Sequence, residues 1–574
     1  MSLLNDDNHE DPRTLRERLL ARKSAMWLER STWESRWRDV AEFQQPMLGM
    51  FDVSQTNQGT RKDFSIYDNT ATKDGRVLAS GLMSGMTSPA RPWFKTGLPD
   101  KELAEAPAVK AWLHKVDVLM RAMFAQSNTY NSLHSMYMEL GTFGTAVSIV
   151  EDDFENLIRH FPCTIGEYAL GQDEYGRIDS MARPRRMTVA QLVRKFGMKN
   201  CSARVQQAWK SRQLDQWVDI MHIVQPRDFA ERAPGAKDAK SMAWGSYWFE
   251  LASENKDMPD GGLLLNSGTP RFNVLAARWD LKPGDIYGRS PGMECQGDVR
   301  QLQFNQLRKA QAIDYKVNPP LQAPTAMKGQ GANRLPGGLS YYDAQTPGAG
   351  VRSLFEVNID LSHLLEDIND IRMRIDASYY KDLFLMLSSM APDARMTATE
   401  VAERHEEKLL MLGPTLERLH NELLSPMIEI GFARIVSAGI LPPPPPELQN
   451  MELEVEFISV LAQAQRAVAA SGADRLLTTI GNLAAFWPKV LNKVNVYQAV
   501  DDYAEMFGVN PEIIMADEDA DAAAAEQAQA AQAQAQADAM PAMAQTAKAV
   551  SGIDPDAMTN VMQSLQGYST PGGA

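Results

Sequence analysis

Apolar positions recur at three- and four-residue intervals through the second half of the chain. Leu361, Leu364, Ile368, Ile371, Ile375, Tyr379 and Leu383 form one such series. Leu409, Leu412, Leu416, Leu419, Leu423, Met427 and Ile430 form another. Each series draws a single stripe along a helix, which predicts helices over 360–387 and 395–438. Thr397 and Glu400 have capping-box spacing at the start of the second. Gly413-Pro414 falls inside it, and proline both lacks a backbone donor and crowds the preceding turn, so a kink is expected there. The prolines at 442–446 end the helix in an extended run.

The first half alternates between the two periods. Helices are predicted over 12–45, 68–88, 107–126 and 130–140. In the first, Ser31 and Glu34 have capping-box spacing and Trp27, Trp33 and Trp37 are available for packing. In the second, Gly81, Ser84 and Gly85 suggest the close approach of another backbone. Strands are predicted over 143–150, 164–170, 177–184, 217–225, 243–251 and 262–266, with a turn at 171–176. Ten of the eleven tryptophans precede residue 280, which places the large mixed core in this half. Beyond residue 288 a helix over 290–316 carries Gln296, Gln301, Gln303, Gln306 and Gln311. A proline- and glycine-rich loop-and-strand insertion follows at 317–357, a loop at 388–396, and shorter helices over 460–515. Residues 516–540 are alanine, glutamine and acid with no apolar face to pack, the composition of a flexible tail.

Composition narrows the class. Apolar residues make up 44% of the 574-residue chain and charged residues 23%, ordinary for a soluble globular protein. The N-terminal stretch lacks the apolar core of a signal peptide, and no run approaches the roughly 18 apolar residues of a membrane span. Cys163, Cys201 and Cys295 are widely spaced and odd in number, which argues against a disulfide framework or a zinc site. The net charge of −15 is uneven: residues 501–540 carry ten acids and no Lys or Arg, whereas 288–316 carry five bases and three acids. The overall acidity therefore leaves the middle of the chain free to face DNA.

Familiar catalytic motifs are missing. His405-Glu406 opens like a zinc-protease HExxH, but Leu409 occupies the second ligand position. No GxxxxGK[ST] phosphate loop and no GxSxG nucleophile elbow occur, and Gly81 to Gly85 has the wrong spacing for the latter. The eight histidines form no triad or metal spacing. These absences point away from an enzyme and name no catalytic residue, cofactor or metal.

A set of short motifs, in order, resembles one family, the head-to-tail connector (portal) proteins of short-tailed bacteriophages. They are Asp68-Asn69-Thr70-Ala71, Leu78-Ala79-Ser80-Gly81-Leu82, Pro92-Trp93-Phe94 and Phe143-Gly144-Thr145-Ala146. The most specific is Arg278-Trp279 followed by Tyr287-Gly288-Arg289-Ser290-Pro291-Gly292. Asn318-Pro319-Pro320, Thr397-Ala398-Thr399-Glu400-Val401, Leu412-Gly413-Pro414, Glu422-Leu423-Leu424-Ser425-Pro426 and Ala462-Gln463-Ala464-Gln465-Arg466 continue the series. The resemblance covers residues 12–515 and leaves out the acidic tail.

That resemblance implies an α+β, mostly helical ring subunit: a mixed wing (1–287), a first stem helix (288–316), a small clip (317–357) and a second stem helix (358–387). A tunnel loop (388–396), a long wing helix with its proline stop (397–450), a helical crown (451–515) and the flexible tail (516–574) complete it. It implies a homo-oligomeric ring, a dodecamer or close to it, at one capsid vertex of the virion. Double-stranded DNA would pass through it during packaging and ejection, and terminase, major capsid protein, scaffold and tail adaptor would be partners, with synthesis in the bacterial cytoplasm and no membrane role. A helix of about 40 residues spans about 60 Å, enough to reach from the channel wall to the outside of such a ring. The expected DNA-channel cations are Arg395, foremost because the tunnel loop would project toward the axis, then Lys381, Lys328 and Arg334. The stripe from Leu361 to Leu383 is the expected ring-assembly contact, and Gly413 and Pro414 the expected helix kink. Two other readings stay open: a capsid scaffold or tail adaptor that never touches DNA, and an enzyme on a helical scaffold.

Overall fold

The computed structural model describes residues 14–52, 61–100, 103, 106–228, 232, 238–252, 262–317, 321–322, 352–353, 362–388, 411–448, 454–458, 479–483, 486–487, 520–522, 525 and 529. The chain divides into two compact units, Met1–Val468 and Ala469–Ala574. In the second unit residues 479–483 are helical among the described residues. All that follows concerns the first.

Helix α1 (Leu15–Gln44) starts at Thr14, whose side chain accepts from the Glu17 N–H while Glu17 reaches back, a complete capping box. The box expected at Ser31 and Glu34 does not form. Ser31 sits mid-helix with its hydroxyl on the Leu28 carbonyl, and Glu34 pairs with Arg30 and Arg38. Helix α2 (Thr70–Met86) is closely overlain at its small residues. A Cβ on Gly81 would lie 2.3 Å from Phe384, so a phenyl ring, not a backbone, fills that groove. Strand β1 (Phe94–Gly97), α3 (Pro107–Gln126) and α4 (Thr129–Phe143) follow.

Among the described residues the two larger sheets are antiparallel and hold three and five strands. β2 (Thr145–Asp153) lies between β3 (Leu157–Cys163) and β9 (Val274–Arg278). The other sheet runs in sequence order through β4 (Ala169–Gln172), β5 (Ile178–Thr188), β6 (Trp217–Pro226), β7 (Trp244–Glu250) and β8 (Leu265–Thr269). Helices α5 (Val189–Phe196) and α6 (Ala203–Lys210) interrupt that meander; the strand periodicity did not signal them. β3 and β9 were also unpredicted. The five residues of β9 are all buried, so they show no alternation.

After a single turn at Pro291–Glu294, α7 (Gln296–Val317) packs against a second helical stretch. The insertion between them is closed at its base by two short strands: β10 (Leu321–Gln322) pairs antiparallel with β11 (Arg352–Ser353). The predicted single helix over 360–387 is two, α8 (Ser362–Ser378) and α9 (Lys381–Ser388). The break is Tyr380, at φ +54°, a left-handed conformation rare for a side-chain-bearing residue.

Residues 411–419 are helical and include Gly413 and Pro414. The departure from α geometry comes later, in a π-turn at His420–Leu424 that leads into α10 (Ser425–Ser437). There the Ser425 N–H bonds back five residues to His420, which makes room for Pro426, a residue with no N–H and a ring that clashes with the carbonyl four back. Among the described residues the irregularity lies at Pro426; the residues before 411, against which a kink at Gly413-Pro414 would be seen, lie outside them. The chain returns as β12 (Glu454–Phe457), which pairs with β1.

The largest core joins α2, α3, α4, α8, α9 and the 411–437 helix. Both apolar stripes end here. Leu412, Leu416, Leu419, Leu423, Met427 and Ile430 are buried, as are Ile368, Ile371, Ile375, Tyr379 and Leu383. A second core sets Trp37 and Val40 of α1 against β2, β4 and Tyr287.

Candidate functional site

Three of the motifs that resemble the connector family, Phe143 to Ala146, Arg278-Trp279 and Tyr287 to Gly292, meet at one junction. Gly144 takes φ +80° to end α4, and its carbonyl accepts from the Trp279 N–H at 2.9 Å. Gly288 lies so close that a Cβ there would stand 2.2 Å from that same carbonyl, so only glycine fits. The Gly288 N–H donates to Thr145 Oγ1 at 2.9 Å, and the Ser290 hydroxyl donates to the Thr142 carbonyl at 2.7 Å. Gln44 of α1 donates to the Gly292 carbonyl and accepts from the Tyr379 hydroxyl. Segments far apart in sequence are thereby locked around the end of α4.

Arg278 ties this junction to the π-turn. It is 3% exposed; its Nε donates to both carboxylate oxygens of Glu422 at 3.1 Å, and its backbone N–H donates to Glu422 Oε2 at 3.0 Å. Nη2 also reaches the Gly176 carbonyl at 3.1 Å. Arg418, one turn before Glu422, donates to the Trp279 carbonyl at 3.2 Å. The π-turn is therefore fastened on both sides of its extra residue. His420 within it stacks on Phe457 at 4.2 Å, and burial pushes the imidazole down to about 4, so it is neutral at neutral pH.

A second polar assembly lies at the start of α2, beside a cleft of about 740 Å³. Asp68 accepts from Thr70 N and Oγ1, from Gln306, and from Arg372 Nε and Nη2 at 3.1 and 2.6 Å. Gln303 of α7 accepts from the Tyr67 and Asp68 N–H groups and donates to the Asp68 carbonyl. Two of the glutamines on α7 thus serve as fold contacts. Deeper in, Asp74 is fully buried, and Lys381 Nζ stands 2.8 Å from both Asp74 Oδ1 and Asp376 Oδ1. Burial, then the hydrogen bond with Asp376, pushes the Asp74 carboxyl up to about 7 against the pull of Lys381.

These positions settle where the predicted residues stand. Lys381, expected to meet DNA, is a half-buried cation already shared by two carboxylates. Arg395, Lys328 and Arg334 lie outside the described residues, as does Leu361. Leu364 is half-buried and packs on the main core. Ile368, Ile371, Ile375, Tyr379 and Leu383 are at most 1% exposed within their own protomer, so the stripe builds the subunit core and is not available as a contact to a neighbour. Sequence reading missed Arg278–Glu422 and the Asp74 cluster as sites. Arg278 and Glu422 sat within quoted motifs, which was the signal available; Asp74 carried none.

Among the described residues no group of three or more His, Cys, Asp or Glu is placed to hold a metal ion, and no helix is long and apolar enough to cross a membrane. The three cysteines are free and buried.

The chain matches the family described as bacteriophage head to tail connecting protein over residues 16–514. It is 49% identical over 559 residues to a probable portal protein of Bordetella phage BPP-1, covering 97% of this chain and 99% of that protein. It is 40% identical over 552 residues to a portal protein of Salmonella phage epsilon15, covering 96% and 98% respectively. Among solved structures it is similar to the neck of an empty gene transfer agent particle, at TM-score 0.32 and 11% identity over 76% of this chain and 92% of that one. The chain belongs to the bacteriophage head-to-tail connector, or portal, family, and its mixed α+β architecture is that of a portal subunit.

Proposed function

We propose that this portal protein closes into a ring of about a dozen subunits at one capsid vertex and forms the channel through which double-stranded DNA enters and leaves the virion. Heterologous, head-to-tail contacts would close such a ring. Terminase would dock on it during packaging, and major capsid protein, scaffold and a tail adaptor would contact it at other faces. The role is structural, with no catalytic group. The observation that carries this reading is the family match over residues 16–514 of one chain.

With the Leu364–Leu383 stripe buried inside the protomer, the ring contact falls to the apolar side chains that remain exposed on the stem. These are Phe304, Ile313, Tyr315 and Val317 on α7, with Leu365 and Met373 on α8. With Lys381 neutralised, the DNA-facing role falls to Arg395, Lys328 and Arg334. A conduit suits a few basic side chains among polar ones, because phosphate contacts are sequence-independent and many strong ones would stall a moving duplex.

Native mass spectrometry of the full-length protein tests the assembly. A discrete species near a dozen subunits supports the conduit. A monomer or dimer that persists after scaffold and capsid protein are added overturns it.

A further inference from the structure

Tyr380 breaks one helical run into α8 and α9 with a left-handed backbone that is unfavourable for a residue bearing a Cβ. Such a conformation persists only where its surroundings hold it. Three contacts do so: the Tyr379 hydroxyl on Gln44, Phe384 seated over Gly81, and Lys381 bridging Asp376 of α8 and Asp74 of α2. The third differs from the others in that its parts ionise. Two carboxylates and one ammonium carry a net −1, and Asp74 is fully buried with Oδ2 lacking any hydrogen-bond partner among the described residues. A charge so placed is costly unless a proton or a further cation compensates it. The cleft of about 740 Å³ is lined by Asp74, Asp376 and Lys381, which gives water and protons a route to them.

We propose that Asp74, Asp376 and Lys381 form a proton-operated clamp on the Tyr380 hinge, tight when Asp74 carries a proton and loosened when it is ionised.

The surrounding charges leave Asp74 as the group that titrates. Lys73 stands beside it on α2, and Asp63 and Asp68 line the cleft from the preceding segment. Asp68 is paired with Arg372 of α8, while Arg374 is held by Asp298 of α7 and Asp370. Lys309 of α7 also lines the cleft, and Glu294 and Asp280 face Tyr380. Buried Cys295 and Tyr379, both near Asp74, are pushed up by burial and stay neutral. Asp74 itself, raised to about 7 by burial and by Asp376, changes charge near neutrality.

Hydrogen exchange of the full-length protein, measured at about pH 6 and about pH 8 and corrected for intrinsic rates, tests the clamp. Amides of residues 376–388 should exchange several-fold faster at the higher pH in the wild type, with a midpoint near 7, and remain slow at both in Asp74→Asn. Exchange that ignores pH in the wild type, or the same step in D74N, overturns the proposal. Asp376→Asn gives an independent arm should D74N not fold: removing the second carboxylate should lower the midpoint by about one pH unit or more. An unchanged midpoint in D376N counts against the clamp.

Discussion

The Arg278–Glu422 pair shows what a single buried contact does here. Both side chains are largely withdrawn from water, at 4% and 19% exposure, so the pair as a whole adds little net stability. Breaking it is another matter, because one charge is left buried and alone. Glu422→Gln should cost about 3 kcal/mol or more in denaturant unfolding, whereas Arg271→Ala, which removes an exposed pair with Glu429, should cost under about 1 kcal/mol. Neither site could be weighed from sequence. Arg278 and Glu422 were visible as members of motifs, but their meeting depends on β9 and on the π-turn. Asp74 read as one more acid on a helix, and only the convergence of α2, α8 and α9 makes it unusual.

At the scale of elements, periodicity was a good guide to which faces are buried and a poor one to what they are buried against. The series from Leu364 to Leu383 marked a face packed along its length, and that face is packed on the protomer's own α2 and α4 core. A stripe carries no label distinguishing the same chain from the next one. Ile371→Asp should therefore abolish cooperative unfolding of the protomer instead of merely dispersing a ring, since it buries an unpaired charge in a dry core. Phe304→Asp, at a residue 55% exposed, should leave the thermal midpoint nearly unchanged while shifting native mass toward monomer. Size-exclusion chromatography with circular dichroism separates the two outcomes, and intact rings from F304D would move the contact elsewhere. The break at Tyr380 left no glycine or proline to read. Two prolines competed to disrupt the long helix, and within the described residues Pro426 is the one matched by a change of hydrogen-bond register.

For the whole molecule, charge sets two measurable behaviours. Asp74, Asp117 and Glu139 are buried, and burial raises their carboxyls to about 7, about 6 and about 7 from ordinary values of 3.8, 3.8 and 4.5. A group raised in the folded state contributes stability that is full below its unfolded value and lost as pH rises through the folded one. Buried His160 and His420, pushed down to about 4, act in the opposite sense below about pH 6.5, so the thermal midpoint of the wild type should fall between about pH 6.5 and about pH 7.5, and a midpoint that rises over that window would contradict these assignments. The second behaviour concerns DNA. Each phosphate neutralised contributes about −0.9 to the slope of log affinity against log salt. Arg395→Ala should make that slope shallower in a fluorescence-polarisation titration with duplex DNA, and Lys381→Gln, whose ammonium is already paired twice, should leave it unchanged.

The short ladder between β10 and β11 has a consequence for how this chain can diversify. Leu321 faces Ser353 and Gln322 faces Arg352, so the two ends of the segment between them are held side by side. Whatever lies between those rungs is attached at a single stalk. Doubling the length of such a segment costs only about 0.6 kcal/mol in closure entropy. The helix pair can thus keep its packing while the segment it carries is lengthened, shortened or exchanged, much as a tool holder outlasts its tools. A change of sequence there would need no change in the core that holds the helix pair.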